Sequence, residues 1–411
     1  MNPASATARM QFVVEIARRL HQYGTSAPRL EDAIDSVSAR LGLSCHSLST
    51  PTSILFSFSD CSRQTNALAE VTQVIRVSPG RDDLRNLCTV NDIADRVTDG
   101  TIGIDEGFGL LAQIRDRLSR DRKILEALSY GIAAMTVTAV LHSSWADMLA
   151  AGGIGALVGV LAVAGESRPR LRPALEAICA FMATFVATLV SVYVVPLRMN
   201  SVVLASFIVL LPGVMLTTAV RELSTQHLVS GVARFAGALT TLVKLAFGAV
   251  VANQLCVLLQ LVPSTELLPS PVLAWARWLT LGLGCSSFAV LFRSARRDVP
   301  LVMAAALLGY LITYYGGRQF SPQFGVFLAG LCMGALGNLY ARLSGRPGSL
   351  VRVPGIILLV PGSVGFQSLS LLAQREVFPG IDTAVSLIAV LACLVAGLLF
   401  GDLLVPSRRI L

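Results

Sequence analysis

Beyond residue 123 the chain falls into ten long apolar stretches, near 124–142, 147–165, 173–195, 201–220, 228–255, 270–292, 299–316, 321–340, 350–370 and 382–404, separated by short polar gaps. Crossing a ~30 Å hydrocarbon core takes roughly 17–25 helical residues, so each stretch is long enough for a transmembrane helix. Ahead of residue 123 the pattern changes. Residues 8–22 and 27–42 repeat apolar positions at helical spacing, the second with Ser26 placed to cap it ahead of Pro28. Residues 43–48, 52–58 and 71–78 read as short strands, and two more helices are expected near 81–97 and 104–120. The pattern predicts an α-helical polytopic membrane protein behind a small α+β amino-terminal domain over 1–123.

Composition agrees, with 54% hydrophobic and 14% charged residues in 411. The net charge of +8 would suggest nucleic acid if it lay on a soluble face, but residues 1–123 are balanced, fifteen basic against fifteen acidic. The excess, eighteen against ten, lies in 124–411, mostly in the gaps between spans, where it marks topology and not a nucleic-acid surface. Counting alternate gaps and the tail gives twelve basic residues on one side and three on the other. Such bias favours an even number of spans with both termini cytoplasmic. The first twenty residues lack the continuous apolar core of a signal peptide. Eight scattered cysteines form no CxxC pair and no metal-ligand spacing, so neither a disulfide frame nor a metal or other cofactor is expected.

A faint repeat divides the membrane part. Arg172-Pro173 recurs as Ser321-Pro322, and Leu210-Leu211-Pro212-Gly213 as Leu359-Val360-Pro361-Gly362, both at an offset of 149; Phe247-Gly248 recurs as Phe400-Gly401 at 153, which a short insertion would accommodate. Two five-helix units follow, 124–255 and 270–404. Because five is odd, the second enters the membrane from the opposite side, the inverted-repeat plan of many secondary transporters.

The run Arg19-Leu20-His21-Gln22-Tyr23-Gly24, then Arg29-Leu30-Glu31, then Ser49-Thr50-Pro51-Thr52-Ser53 resembles the amino-terminal motifs of the threonine/serine exporter family. The resemblance extends over nearly the whole chain, as a fused form of proteins that elsewhere occur as two components and resemble dicarboxylate (succinate) exporters. It implies efflux of a small-molecule substrate across a bacterial inner membrane, driven by the proton motive force. Hydroxy amino acids and dicarboxylates both stay open as substrates, and the resemblance supplies no residue-level mechanism.

Candidate residues therefore come from physics. An ionisable side chain at a helix centre in hydrocarbon costs about 2.5–3.5 kcal/mol or more, which makes each one a functional candidate. Lys244 sits mid-span, and Arg234 lies ten residues earlier, about 80° around the same helix. Together they would suit a substrate carboxylate; the alternatives are snorkelling or a structural ion pair with Glu176 or Asp402. Glu176 and Asp402 are the carboxylates available for proton coupling. Pro212-Gly213 and Pro361-Gly362 interrupt two spans at matching positions, where freed carbonyls can meet a substrate if the break lines a cavity. Gly152, Gly153, Gly155 and Gly159 are expected to serve close helix packing. Arg277, between Trp275 and Trp278, reads as an interfacial belt.

In the amino-terminal domain His21, Tyr23, Arg29 and Glu31, with Pro51 and Thr52, form a polar group. No GxSxG elbow, P-loop or HExxH is present, so gating or regulation is expected ahead of catalysis, with a membrane-bound enzyme or sensor as the contrasting class. Small-molecule substrate, protons and lipid are the expected partners, with self-association open.

Overall fold

The computed structural model describes residues 5–60, 71–114, 119–166, 168, 170–263, 272–359 and 361–406. The first part runs α1 (Ala6–Gln22), α2 (Ala27–Arg40), β1 (Leu43–Ser49), β2 (Ser53–Asp60), β3 (Val71–Arg76), α3 (Leu84–Thr98) and α4 (Ile104–Gln113). The strands form an antiparallel sheet in the order β1-β2-β3, with Cys45 opposite Phe58 and Phe56 opposite Gln73. Alternation along β2 buries Ile54, Phe56 and Phe58 in one cluster with Phe12, Ile16 and Leu20 of α1. The expected strands and helices are present, although the helix expected over 104–120 ends at Gln113.

One expectation is corrected. Ser26 occupies the N-cap of α2, yet its side chain makes no capping bond. The free N–H of Ala27 donates instead to Glu222 Oε1 at 3.0 Å, so a carboxylate from 195 residues away caps the helix. An anion suits that position, because the helix N-terminus presents unpaired donors and a positive dipole end.

Among the described residues twelve α-helices follow: α5 (Arg120–Val140), α6 (Trp145–Glu166), α7 (Leu175–Tyr193), α8 (Met199–Ser206), α9 (Gly213–Ser224), α10 (Leu228–Leu258), α11 (Ala274–Leu291), α12 (Val299–Gln319), α13 (Pro322–Ser344), α14 (Ser349–Ile357), α15 (Pro361–Ala373) and α16 (Val377–Leu404). Among the described residues eight spans are long and apolar enough to cross a membrane, with α14 and α15 counted as one. The pair α8 and α9, bent by 56° across its break, makes a ninth. Of the ten expected stretches, 270–292 is the one without such a span. The helix there, α11, is 18 residues long and carries Arg277, which holds down its hydropathy.

Close packing follows small residues. A Cβ on Gly159 of α6 would come within 2.6 Å of the Ala127 carbonyl on α5, whereas one on Gly153 would meet nothing within 4 Å. Gly153 therefore faces away from the contact that Gly152, Gly155 and Gly159 serve. The core of the amino-terminal elements continues into the membrane helices, since Phe288, Phe292, Val302 and Leu350 join the cluster of Phe12 and Phe56. The Leu84 N–H reinforces this by donating to the Phe292 carbonyl at 3.0 Å.

Candidate functional site

One polar region of the molecule lies where α2 and the segment leading into α3 meet α9, α13, α14 and α16. Helix α9 supplies adjacent residues, Arg221 and Glu222, which point to different neighbours because successive side chains are ~100° apart on a helix. Glu222 is 0% exposed. Its Oε1 caps α2, while Oε2 accepts from Ser230 Oγ and Arg234 Nε, both at 3.0 Å. Three hydrogen bonds spread over both oxygens thus offset the burial of this carboxylate.

Arg221 turns the other way and donates from Nη2 to Asp402 Oδ2 at 2.6 Å. The second oxygen of Asp402 accepts from Arg352 Nη2 at 2.6 Å and Asn338 Nδ2 at 2.7 Å. Arg352 is 4% exposed. Its Nε and Nη1, and Nε of Arg221, are buried with no hydrogen-bond partner among the described residues. Arg29 of α2 joins them electrostatically, and its guanidinium makes no hydrogen bond or salt bridge among the described residues. Burial, then the nearby Arg221, pushes its pKa down to about 10 against the opposing pull of Asp402 and Asp32. Arg221 and Arg352 therefore share one carboxylate by contact, and Arg29 adds a third guanidinium through space with Asp32 as its other anion.

Several of these groups line a cavity of about 210 Å³, among them Arg29, Arg221, Glu222 and Arg352, together with Tyr23, Asp82 and Thr217. A water occupies roughly 30 Å³ of liquid, so the space admits a small polar solute. Asp82 contributes the opposite sign: burial pushes its carboxyl up to about 6, against the influence of Arg234. Arg346, also on the wall, is held by a bidentate pair with Asp298 at 2.5 and 2.7 Å.

The sequence-derived candidates distribute unevenly around this cavity. Tyr23 and Arg29 line it. Asp402 binds two of its arginines, and Arg234 stands behind Glu222. Lys244 is not among its walls; Nζ lies 3.6 Å from Glu176 Oε2, joining α10 to α7. Gly213 and Gly362 meet at the two helix breaks, and Pro361 opens α15. Val214, one residue past the first break, reaches the cavity wall.

The remaining amino-terminal candidates tie that part together. Glu31 accepts from Ser49 N–H at 2.7 Å and pairs with His227 Nε2 at 3.2 Å, reaching the loop before α10. Burial raises its pKa. His21 Nε2 lies 3.2 Å from the Thr50 carbonyl, and burial lowers its pKa. Pro51 and Thr52 form the β1–β2 turn, where the Thr52 carbonyl accepts from Val77 N–H at 3.0 Å.

Arg352, Arg221, Glu222 and Asp82 were not singled out by sequence. Arg352 had a usable signal: it falls inside the stretch 350–370 and is an ionisable group in an apolar span. Read as one more loop charge, it was masked by Arg342 and Arg346 nearby.

Comparison with known proteins places these features in a family. Residues 11–256 match the family described as "Putative threonine/serine exporter", and residues 279–404 match "Threonine/Serine exporter, ThrE". Among curated proteins, the chain is 26% identical over 375 residues to "Pheromone-regulated membrane protein 10" of Zygosaccharomyces rouxii, covering 89% of this chain and 37% of that protein. The Saccharomyces cerevisiae protein of that name is 26% identical, covering 89% of this chain and 48% of its own length. Its Candida albicans namesake is 25% identical, covering 93% and 34%. The chain thus spans less than half the length of these relatives. No solved structure matches it.

The bacterial inner membrane expected from the resemblance is overturned by these relatives, which are membrane proteins of yeasts and point to a eukaryotic membrane. Span length and charge bias could not distinguish the two, because hydrocarbon thickness and the positive-inside rule are common to both. With the first match covering residues 11–256 and the second continuing to 404, the chain belongs to the threonine/serine exporter family.

Proposed function

We propose that this chain is a secondary exporter of small polar metabolites, threonine and serine first and dicarboxylates such as succinate as the alternative, working by alternating access and driven by the proton motive force. The observation that carries this reading is the charged cavity of about 210 Å³, walled by amino-terminal residues together with residues of α9, α13, α14 and α16. Both sequence modules of the family contribute to one polar space, which a packed structural bundle would have no reason to keep.

The architecture we put forward is an amino-terminal unit over 1–123 acting as a gate, with five-helix units over 124–255 and 270–404 as inverted repeats. Support comes from paired local geometry at the offset of 149. Gln226 and Arg375 both take positive φ, 65° and 67°. A Cβ on Gly231 would meet Leu223 Cγ at 2.7 Å, and one on Gly380 would meet Leu372 Cγ at 2.7 Å. The N–H groups of His227 and Glu376 donate to Glu222 and Leu371 carbonyls, each at 2.9 Å. Gly248 and Gly397 each face a backbone carbonyl of a neighbouring helix, so this pair also fits 149 without an insertion.

For proton coupling we put forward Asp402 and Glu176, because each faces cations, Arg221 and Arg352 for the first and Lys244 for the second. A carboxylate whose counter-ion moves between two states changes its proton affinity, which is what coupling needs. The test is flux in proteoliposomes, with threonine, serine and succinate compared under an imposed pH gradient. Gradient-dependent movement of at least one is expected; none for any of the three would refute the reading.

A further inference from the structure

Among the charged clusters of the molecule, the one around Asp402 is unbalanced. Glu222 has Arg234, Asp298 has Arg346 with the exposed Arg297 farther off at 3.9 Å, and Glu176 has Lys244. Asp402 serves Arg221 and Arg352 by direct contact, and Arg29 through space together with Asp32.

The hydrogen-bond inventory gives the same answer independently. A guanidinium carries five N–H donors in a rigid fork, and burying one unpaired is costly, more so when it is charged. Arg352, 4% exposed, keeps Nε and Nη1 without a partner among the described residues, and Arg221 keeps Nε. In Arg352 the free Nε and Nη1 belong to different edges of the fork and the Nη2 common to both edges is held by Asp402, so each free N–H can donate singly to an oxygen of an incoming carboxylate. Both residues line the cavity, and Arg29 stands on its wall from α2.

We propose that Arg29, Arg221 and Arg352 form a carboxylate-binding site, in which Asp402 fills one position and the carboxylate of the transported solute fills the second. The proposal rests on the exporter reading and adds residues to it. The shared chemistry is a carboxylate, whether carried by an α-amino acid or by one end of a dicarboxylate. Asn338 keeps Asp402 in place, since its Nδ2 holds Asp402 Oδ1 while its Oδ1 accepts from Arg352 Nη2 at 2.9 Å. The resident carboxylate is thereby fixed to Nη2 of Arg352 and leaves Nε and Nη1 without a partner among the described residues. Arg29 differs from the two membrane arginines in coming from the amino-terminal part, so movement of α2 relative to α9 would add or withdraw one of the three cations.

The test uses the full chain in nanodiscs with propionate as the simplest carboxylate probe, thermal unfolding as the readout and sodium chloride at equal ionic strength as the control. Propionate should raise the melting temperature of the wild type, and serine and succinate should compete with it. Asp402→Asn removes the resident anion, so propionate should stabilise that variant more than it stabilises the wild type. Arg29→Gln should weaken propionate at least tenfold while folding normally, because the Arg29 guanidinium makes no bond that holds the fold; Arg352→Gln should abolish the response. Equal propionate responses in wild type, Arg29→Gln and Asp402→Asn would overturn the site, as would the absence of any carboxylate effect. Flux without a carboxylate response removes the site and leaves the exporter; a carboxylate response without flux of any solute does the reverse.

Discussion

A side chain on Gly362 would come within 3.0 Å of the Gly213 backbone nitrogen, so the two Pro-Gly helix breaks touch. Each break ends one short helix and starts another, α8 to α9 and α14 to α15. Their contact sets Gly213 and Gly362 against protein, which is the condition under which a break is tolerated at membrane depth.

Gly362→Val should therefore destabilise the bundle by about 1–3 kcal/mol, the usual cost of overpacking. A Cβ there also meets Leu211 Cβ at 3.0 Å and Gly213 Cα at 3.2 Å, so backbone would have to move. The comparison is Gly109→Ala in α4, where a Cβ meets nothing within 4 Å and the helix should gain about 0.5–1 kcal/mol. Thermal unfolding of both variants in the same nanodisc preparation checks the pair; a neutral Gly362→Val would mean the breaks are not tightly apposed.

Glu222 should be the main tether between α2 and the membrane helices. Glu222→Ala removes a fully buried carboxylate and leaves Arg234, Ser230 and the Ala27 N–H without their acceptor. Breaking one side of a buried pair costs about 3–5 kcal/mol. Hydrogen exchange over 27–40 should rise well before global unfolding, whereas unchanged protection of α2 would show that the shared apolar core holds the two parts without it.

How much of this was legible in the sequence depends on the range of the interaction. Apolar runs, strand alternation and the Pro-Gly pairs are local patterns, and nearly all reappear as elements. The cap of α2 was assigned to Ser26 because only a neighbour can be seen locally, whereas Glu222 arrives from 195 residues away. Lys244 was prominent as a lone cation mid-span, yet what decides its surroundings is Glu176 on another helix. Arg221 and Arg352 each lie near a span end, where sequence alone does not separate a site residue from a topology charge. Only the helix packing reveals that they converge on Asp402.

Asp82 gives a pH dependence with a definite sign. Burial lifts its carboxyl from 3.8 to about 6 in the folded chain. The native state then binds more protons than the unfolded state between about pH 4 and 6, and stability falls as pH rises through that window. Asp82→Asn removes the penalty, so the variant should melt higher than wild type at pH 7.5 and no higher at pH 4. Parallel melting curves with the same offset at both pH values would show that the carboxylate is not the source.

The pair Lys244–Glu176 separates a solute-binding lysine from a bracing one. At 3.6 Å and partly exposed, it links α10 to α7, away from the cavity walls. Lys244→Ala alone leaves Glu176 without its cation at membrane depth, so both melting temperature and flux should fall. Lys244→Ala combined with Glu176→Ala removes both charges, and if the lysine only braces, the double variant should recover most of the flux. The two outcomes differ because a charge pair can be deleted together at little cost, whereas a contact with the solute cannot be restored by deleting its neighbour. Flux that stays lost in the stable double variant would return Lys244 to the transport path and require a second polar route between α7 and α10.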